Sequence, residues 1–261
     1  MPTIISYGAG TNSKAMVIRM LREGEKIDRI VFADTGGERP ETYRDREDFS
    51  FWLQMQGAPG IEVVRNTSIA NGIPVVTLEE ECLAGKKLPG IAYGFGTCSD
   101  KWKQRPFKRW FKQNKFDASA VVCIGFDADE PNRAERGARI DSGYIKRYPL
   151  IEYGMGRDEC LAEIEGAGLP LPGKSACFFC PSSKQAEVLA LPPDLQQRAI
   201  TLERNAQLTT VQGLGRRYAW EDLIDAHRLG VPLKAIQQLR PRPQECALPP
   251  AQEVPCGCYD G

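Results

Sequence analysis

The stretch Ile4-Ile5-Ser6-Tyr7-Gly8-Ala9-Gly10-Thr11-Asn12-Ser13 joins a short apolar run to a turn of small residues. A strand that feeds a helix through such a turn directs backbone N–H groups and a helix N-terminus towards one point, where they attract an anion. The hydroxyls of Ser6 and Ser13 can donate to phosphate oxygens. No Gly-Lys-Ser or Gly-Lys-Thr follows, so the common P-loop is excluded. The segment predicts either another phosphate-binding turn or a tight strand–helix corner alone.

The rest of the chain continues the alternation of strands and helices. Strands are predicted over residues 3–6, 29–33, 61–64 and 119–126, an extended segment over 144–149, and helices over 12–24, 40–56, 99–115, 157–166, 183–190, 193–207, 219–229 and 232–239. This alternation predicts an α/β fold, with a mostly parallel sheet covered by helices. Residues 66–97 show no clear period. We predict an α/β domain over 1–182, a helical C-terminal region over 183–240 and a cysteine-bearing tail over 241–261.

The charge balance, the apolar runs and the cysteine content of the chain limit the classes of protein that it could belong to. The 261 residues carry 34 basic and 34 acidic side chains, so the overall charge does not indicate a nucleic-acid-binding protein. No run of 18 apolar residues and no signal-peptide pattern is present, and we expect a cytoplasmic protein without a membrane partner. Nine cysteines are many for such a protein, and a reducing compartment disfavours disulfides. Closely paired cysteines are therefore candidates for ligation or reactivity.

A second turn, Asp34-Thr35-Gly36, follows the second predicted strand. In a parallel sheet the carboxyl ends of strands meet at one edge, where ligands bind. The Asp34 carboxylate could hold Mg²⁺ or a ribose hydroxyl, and Thr35 could do the same. The alternative is that these residues only cap the helix that begins at Pro40.

Several motifs stand in an order that resembles the phosphoadenosine phosphosulfate (PAPS) reductase-like branch of the PP-loop ATP pyrophosphatases. The first turn is similar to the PP-loop, whose usual form is Ser-Gly-Gly-x-Asp-Ser. The likeness covers about residues 3–182. The other matching segments are Asp34-Thr35-Gly36 with Pro40-Glu41-Thr42-Tyr43, Thr97-Cys98-Ser99-x-Lys101-Trp102-Lys103-x-x-Pro106, Gly125-Phe126-Asp127-Ala128-Asp129-Glu130-Pro131-Asn132-Arg133, Tyr148-Pro149-Leu150, and Cys177-x-x-Cys180-Pro181.

The resemblance implies a PP-loop, HUP-like fold and cleavage of ATP between the α- and β-phosphates, or reduction of an adenylated sulfate. The implied cofactors are ATP or PAPS and Mg²⁺. Asp34, Lys103 and Arg133 are the implied catalytic residues, with Lys103 and Arg133 neutralising phosphate. Asn12 stands where the family has Asp, and Asp127 where it has Arg. The implied nucleotide-binding residues are Ser6, Gly8, Gly10, Asn12, Ser13, Asp34, Thr35 and Gly36.

Cysteines form the second candidate site. Cys177 and Cys180, two residues apart in a loop, can reach one metal ion, and the resemblance adds Cys98 as a third ligand. Cys256 or Cys258 in the tail would supply the fourth. We predict a [4Fe–4S] cluster, with a Cys₄ zinc site and no metal as alternatives. We also predict that these sulfurs and the first turn border one cavity.

The segment 101–115 carries Lys101, Lys103, Arg105, Lys108, Arg109, Lys112 and Lys115. A helix with a solvated basic face is one interpretation. The other is a phosphate-contacting surface for nucleic acid, because local basic patches bind polyanions even on neutral chains.

Three functions fit these patterns. The first is an ATP pyrophosphatase that adenylates an acceptor and supports sulfur insertion into DNA or tRNA, with a cysteine desulfurase as partner. The second is a PAPS or adenylylsulfate reductase that releases sulfite and uses thioredoxin, with a tail cysteine such as Cys246 as nucleophile. The third is a non-catalytic nucleotide- or cluster-binding regulatory module.

Overall fold

The computed structural model describes residues 1–139, 142–208 and 210–240. Its strands are β1 (Thr3–Tyr7), β2 (Arg29–Asp34), β3 (Ile61–Arg65), β4 (Ser68–Ala70), β5 (Ile73–Val75), β6 (Val121–Ile124) and β7 (Ile145–Arg147). Five of them form a sheet in the order β3-β2-β1-β6-β7. Every neighbouring pair in this sheet is parallel. The predicted α/β fold with a mostly parallel sheet is therefore confirmed.

Helices cover both faces of the sheet and make up the C-terminal region. They are α1 (Thr11–Arg22), α2 (Pro40–Met55), α3 (Leu78–Ala84), α4 (Thr97–Ser99), α5 (Arg105–Gln113), α6 (Pro131–Ala138), α7 (Pro149–Glu152), α8 (Arg157–Gly166), α9 (Gln185–Leu189), α10 (Pro193–Asn205), α11 (Trp220–Leu229) and α12 (Leu233–Leu239). A π-helical turn, Asp100–Gln104, joins α4 to α5. Pro106 is the second residue of α5 and directly follows this π-helical turn, where the chain departs from the regular α-helical hydrogen-bond pattern. Within the described ranges, no helix has the length and apolar character to cross a membrane.

The central strands are buried on both faces, and alternate residues enter different cores. Ile5 packs in the cluster that contains residues of α1, α2 and α8. Its neighbour Ile4 packs in the cluster on the other face, with Phe107 and Phe111 of α5. This two-residue period is that of a strand covered on both sides. The edge of the sheet where β1 and β2 end is therefore fixed between two packed layers.

Residues 66–97, which show no clear sequence period, form regular elements in the structure. The strands β4 and β5 pair as an antiparallel hairpin. Helix α3 begins with a capping box, in which the Thr77 hydroxyl accepts from the Glu80 N–H and the Glu80 carboxylate accepts from the Thr77 N–H. The Thr-x-x-Glu spacing is a sequence signal for this helix start, whereas the hydrophobic period of the segment gives none.

A third core joins the middle of the chain to the C-terminal helices. Phe178 and Phe179, beside the paired cysteines, pack there with Trp102 and Trp220. The cysteine loop is thus held by aromatic side chains from both the α/β part and the helical part of the chain.

Candidate functional site

The first turn presents an uncapped helix N-terminus. Ala9 adopts a positive φ of 59°, and Gly10 is the extended N-cap of α1. Gly10 has no side chain with which to cap α1, and the Ser13 hydroxyl donates to the Gly10 carbonyl at 3.2 Å. The first N–H groups of a helix lack intrahelical partners and carry partial positive charge. This turn can accept an anion, as the sequence indicates.

The two residues that depart from the family pattern contact each other. The Asn12 side-chain amide donates to Asp127 Oδ2 at 2.7 Å, and Asn12 Oδ1 accepts from the Arg157 guanidinium at 3.2 Å. Burial raises the pKa of Asp127, and the carboxylates of Glu130 and Asp129 raise it further. Both polar atoms of the Asn12 side chain are thus hydrogen-bonded. Because this side chain is neutral, it donates to Asp127, whereas an aspartate at position 12 would repel the Asp127 carboxylate.

This pair gives a stability prediction. In Asn12→Asp a second carboxylate meets Asp127 in a buried place, and we expect a loss of about 2–3 kcal/mol at pH 8 in urea unfolding. The loss shrinks as the pH falls towards 5, because the folded pair has a raised pKa and a shared proton relieves the repulsion. In the double variant Asn12→Asp/Asp127→Arg, opposite charges face each other and stability recovers. Additive effects of the two changes would contradict the pairing.

Asp34, at the end of β2, is fully buried and its carboxylate is engaged. Oδ1 accepts from the Gly36 N–H and from the Tyr43 hydroxyl, each at 2.8 Å. Oδ2 accepts from Arg65 Nε at 2.9 Å and from its Nη2 at 2.8 Å. The carboxylate shapes the second turn and anchors β3 to it. Contact with Mg²⁺ or a ribose hydroxyl, which stays a prediction, would need one of these donors to move.

The second turn also carries a polar cluster next to a cysteine. The Thr35 hydroxyl lies 3.1 Å from Cys177 Sγ and 3.3 Å from Glu38 Oε1. Lys103 Nζ lies 3.4 Å from the same Glu38 oxygen, and both side chains are almost completely buried. Glu38 Oε2 is buried with no hydrogen-bond partner among the described residues. A buried carboxylate oxygen with no donor indicates a site completed by a ligand or water.

The cysteine loop is attached to both turns. The Ser175 hydroxyl donates to the Gly8 carbonyl in the first turn. The Phe178 N–H donates to the Gly37 carbonyl at 2.8 Å, and Glu38 and Cys177 form a β-bridge. The cysteine loop and the first turn therefore contact each other directly. The thiols and that turn line two separate cavities, and the common cavity stays a prediction.

Two cavities adjoin this junction. Cavity A lies at the ends of β1 and β2 and is lined by residues that include Ser6, Gly8 and Tyr144. Cavity B is lined by Thr35, Cys98, Cys177 and Cys180 among others. Lys103 lines both cavities. The Lys103 ammonium group therefore lies between cavity A, beside the first turn, and cavity B, beside the thiols.

The three thiols of cavity B fit the donor chemistry of an iron–sulfur cluster. Burial raises the pKa of Cys180 to about 11 and that of Cys177 well above its ordinary value, where the Glu38 carboxylate adds to the effect. A bound metal would replace these protons, because thiolates are the ligands. In the described part of the chain, no group of three or more His, Cys, Asp or Glu side chains is arranged to hold a metal ion. Cys246, Cys256 and Cys258 lie outside the described residues.

The predicted basic surface is partly used in ion pairs. Lys101 pairs with Glu81 at 2.6 Å, and Arg105 pairs with Asp100 at 2.7 Å. Lys112 and Lys115 remain exposed at the end of α5. Arg133, a predicted phosphate-binding residue, pairs with Glu130 at 3.0 Å and lies over the Phe126 ring.

Sequence reasoning missed three residues of this site. Glu38 follows the second turn directly, and an acidic residue at this place was a signal that could have been used. Ser175 and Arg157 carry no local signal, because their contacts with Gly8 and Asn12 span 167 and 145 residues.

The fold and the two turns define an α/β protein with a five-stranded parallel sheet. No family model matches the chain. It is 29% identical over 148 residues to the uncharacterized nin region protein ORF290 of Escherichia phage lambda, a match that covers 51% of this chain and 50% of that protein. The chain thus spans about half the length of this curated relative. A solved structure, the U34-tRNA thiolase NcsA from Methanococcus maripaludis with its [4Fe–4S] cluster, aligns over 97% of this chain and 77% of its own, with a TM-score of 0.48 and 13% identity.

Proposed function

We propose that the chain is an ATP pyrophosphatase that adenylates an acceptor and supports the insertion of sulfur into it. The attachment of the cysteine loop to both turns supports this proposal, since Ser175 of that loop contacts the first turn and Cys177 contacts the second. Nucleotide activation and sulfur chemistry would then take place in adjoining cavities.

In this proposal the first turn and the N-terminus of α1 hold the β- and γ-phosphates, with Ser6, Gly8, Gly10 and Ser13 in the binding set. The adenosine would lie beside cavity A, whose apolar wall includes Val31 and Phe107. Lys103, between the cavities, neutralises charge as the α–β phosphate bond breaks and pyrophosphate leaves. Mg²⁺ accompanies the nucleotide.

Cys98, Cys177 and Cys180 would hold a [4Fe–4S] cluster together with Cys256 or Cys258, and zinc is the alternative. When bound, the cluster supplies an iron site for a transferable sulfur atom. The residues of the chain contribute a cavity in which the three thiols are gathered and the Thr35 hydroxyl orients Cys177.

The acceptor class that we propose is nucleic acid. The exposed Lys112 and the partly exposed Lys108 lie one helical turn apart on α5, which borders cavity A through Phe107, and the exposed Lys115 follows the end of this helix. Phosphate contacts of this kind bind without sequence preference and weaken as salt increases.

The test uses full-length protein purified without oxygen, with metal and sulfide analysis. Incubation with ATP, Mg²⁺, sulfide and either tRNA or DNA should release pyrophosphate as the acceptor is adenylated and AMP as sulfide displaces it, with both releases dependent on the acceptor. Pyrophosphate release without acceptor dependence would contradict the adenylation of nucleic acid. Sulfite release from PAPS would assign the reductase function instead. Nucleotide binding with neither product would leave the regulatory function.

A further inference from the structure

We infer that Arg157 supplies the positive charge that binds the pyrophosphate part of the nucleotide. This inference rests on the proposed function and adds a binding residue to it. The family resemblance implies an arginine at position 127, but this chain has Asp127 there. Arg157 is the first residue of α8. Its guanidinium donates to the side chain of Asn12, the second residue of α1.

The position of Arg157 is set by the packing of α8 against α1. Cys160 and Ile164 of α8 are buried in the same core as Ala15 and Met16 of α1. The backbone N–H of Arg157 donates to Asp129 Oδ2 at 2.8 Å, which fixes the start of α8. The side chain then extends to Asn12 Oδ1 at 3.2 Å, beside the uncapped N-terminus of α1.

Arg157 differs from the other cations near the first turn in its partners. Lys14 pairs with Asp45, Lys103 with Glu38 and Arg133 with Glu130. The Arg157 guanidinium has a neutral amide oxygen as its hydrogen-bond acceptor, and within the described residues it forms no ion pair with a carboxylate. The nearby Asp127 and Asp129 accept from the Asn12 amide and from the Arg157 backbone N–H.

A cation at a helix N-terminus is unfavourable, since the N–H groups there already carry partial positive charge. An incoming pyrophosphate reverses this balance, because it accepts from the N–H groups of α1 and from the guanidinium at the same time. Guanidinium binds phosphate through two parallel hydrogen bonds, which a lysine cannot reproduce. Asp127 holds the side chain of Asn12, and Asn12 in turn accepts from Arg157, so both act as positioning residues.

The experiment measures binding of inorganic pyrophosphate, ATP and adenosine to full-length protein by titration calorimetry. We expect Arg157→Gln to weaken binding of pyrophosphate and ATP about 10- to 100-fold, in line with a charged hydrogen-bonding pair, and to leave adenosine binding unchanged. Arg157→Lys should recover part of the loss, and the loss should shrink as salt increases. The matched control is Arg22→Gln, an exposed residue near the other end of α1 that pairs with Glu163.

The outcomes separate this inference from the proposed function. Equal pyrophosphate binding by the wild type and Arg157→Gln, or an equal loss of adenosine binding, would overturn the role of Arg157. A selective loss of pyrophosphate binding supports that role, even if the wild type does not convert ATP to AMP and so fails the proposed function. A wild type that binds neither pyrophosphate nor ATP would overturn both.

Discussion

Replacing Cys177 by alanine is expected to reduce bound iron and sulfide to background and to lower sulfur transfer more than about 100-fold, because loss of a metal ligand exceeds the 10- to 100-fold cost of losing an outer-shell partner. The thiol is one of three that line cavity B, and its hydrogen bond with Thr35 orients it there. Metal analysis and the visible absorption spectrum of protein purified without oxygen give the direct measurement.

Nucleotide binding should survive this change, because Cys177 contacts the second turn, whereas the proposed phosphate site is the first turn. Cys160→Ala is the matched control: this cysteine is fully buried in the core between α8 and α1, away from cavity B. It should cost stability and leave the metal content intact. Full iron and sulfide in Cys177→Ala would refute the assignment of this thiol as a ligand.

The second large effect is expected from Gly36→Ala, which should destabilise the fold by about 2–4 kcal/mol in urea unfolding. Gly36 has a φ of +73°, and an added Cβ would lie 2.3 Å from Thr77 Cγ2 and 2.6 Å from Thr77 Cβ. Thr77 cannot withdraw easily, because it caps α3 and the next residue, Leu78, donates to the Thr35 carbonyl at 2.9 Å. Backbone strain at Gly36 and steric overlap with Thr77 therefore both contribute to the expected loss of stability.

Gly24→Ala separates these two contributions. Gly24 has the same φ of +73°, and nothing lies within 4 Å of its added Cβ, so its substitution measures backbone strain alone, about 1 kcal/mol. The double variant Gly36→Ala/Thr77→Ser keeps the capping hydroxyl, removes the closest methyl group and should recover part of the loss. Equal losses for the Gly36 and Gly24 variants would show that the second turn does not press on α3.

Much of the fold was predictable, because its signals are local. The two-residue period of the strands, the small residues of the first turn and the Pro and Gly at helix ends depend on neighbours within about ten residues of chain. The helix start at Thr77 had such a signal as well. That signal is the capping chemistry of Thr77, which the hydrophobic period of residues 66–97 does not contain.

The partners of the buried polar groups were not predictable. Asn12 and Asp127 each looked like the loss of a charge, and the structure shows that they contact each other across 115 residues of chain. Asp34 looked like a free ligand, whereas Arg65, Tyr43 and Gly36 occupy its oxygens. A buried polar atom takes whichever partner the packing brings to it, and a motif does not contain that information.

The sequence by itself determined the α/β class, the two turns at the ends of β1 and β2, and the cysteines available as ligands. The tertiary structure alone decided that Ser175 and Cys177 contact those turns and that Arg157 reaches α1. These contacts join residues 142 to 167 positions apart. Their formation requires the whole core to bring the chain segments together, because hydrogen bonds of a few ångströms have no counterpart in local sequence.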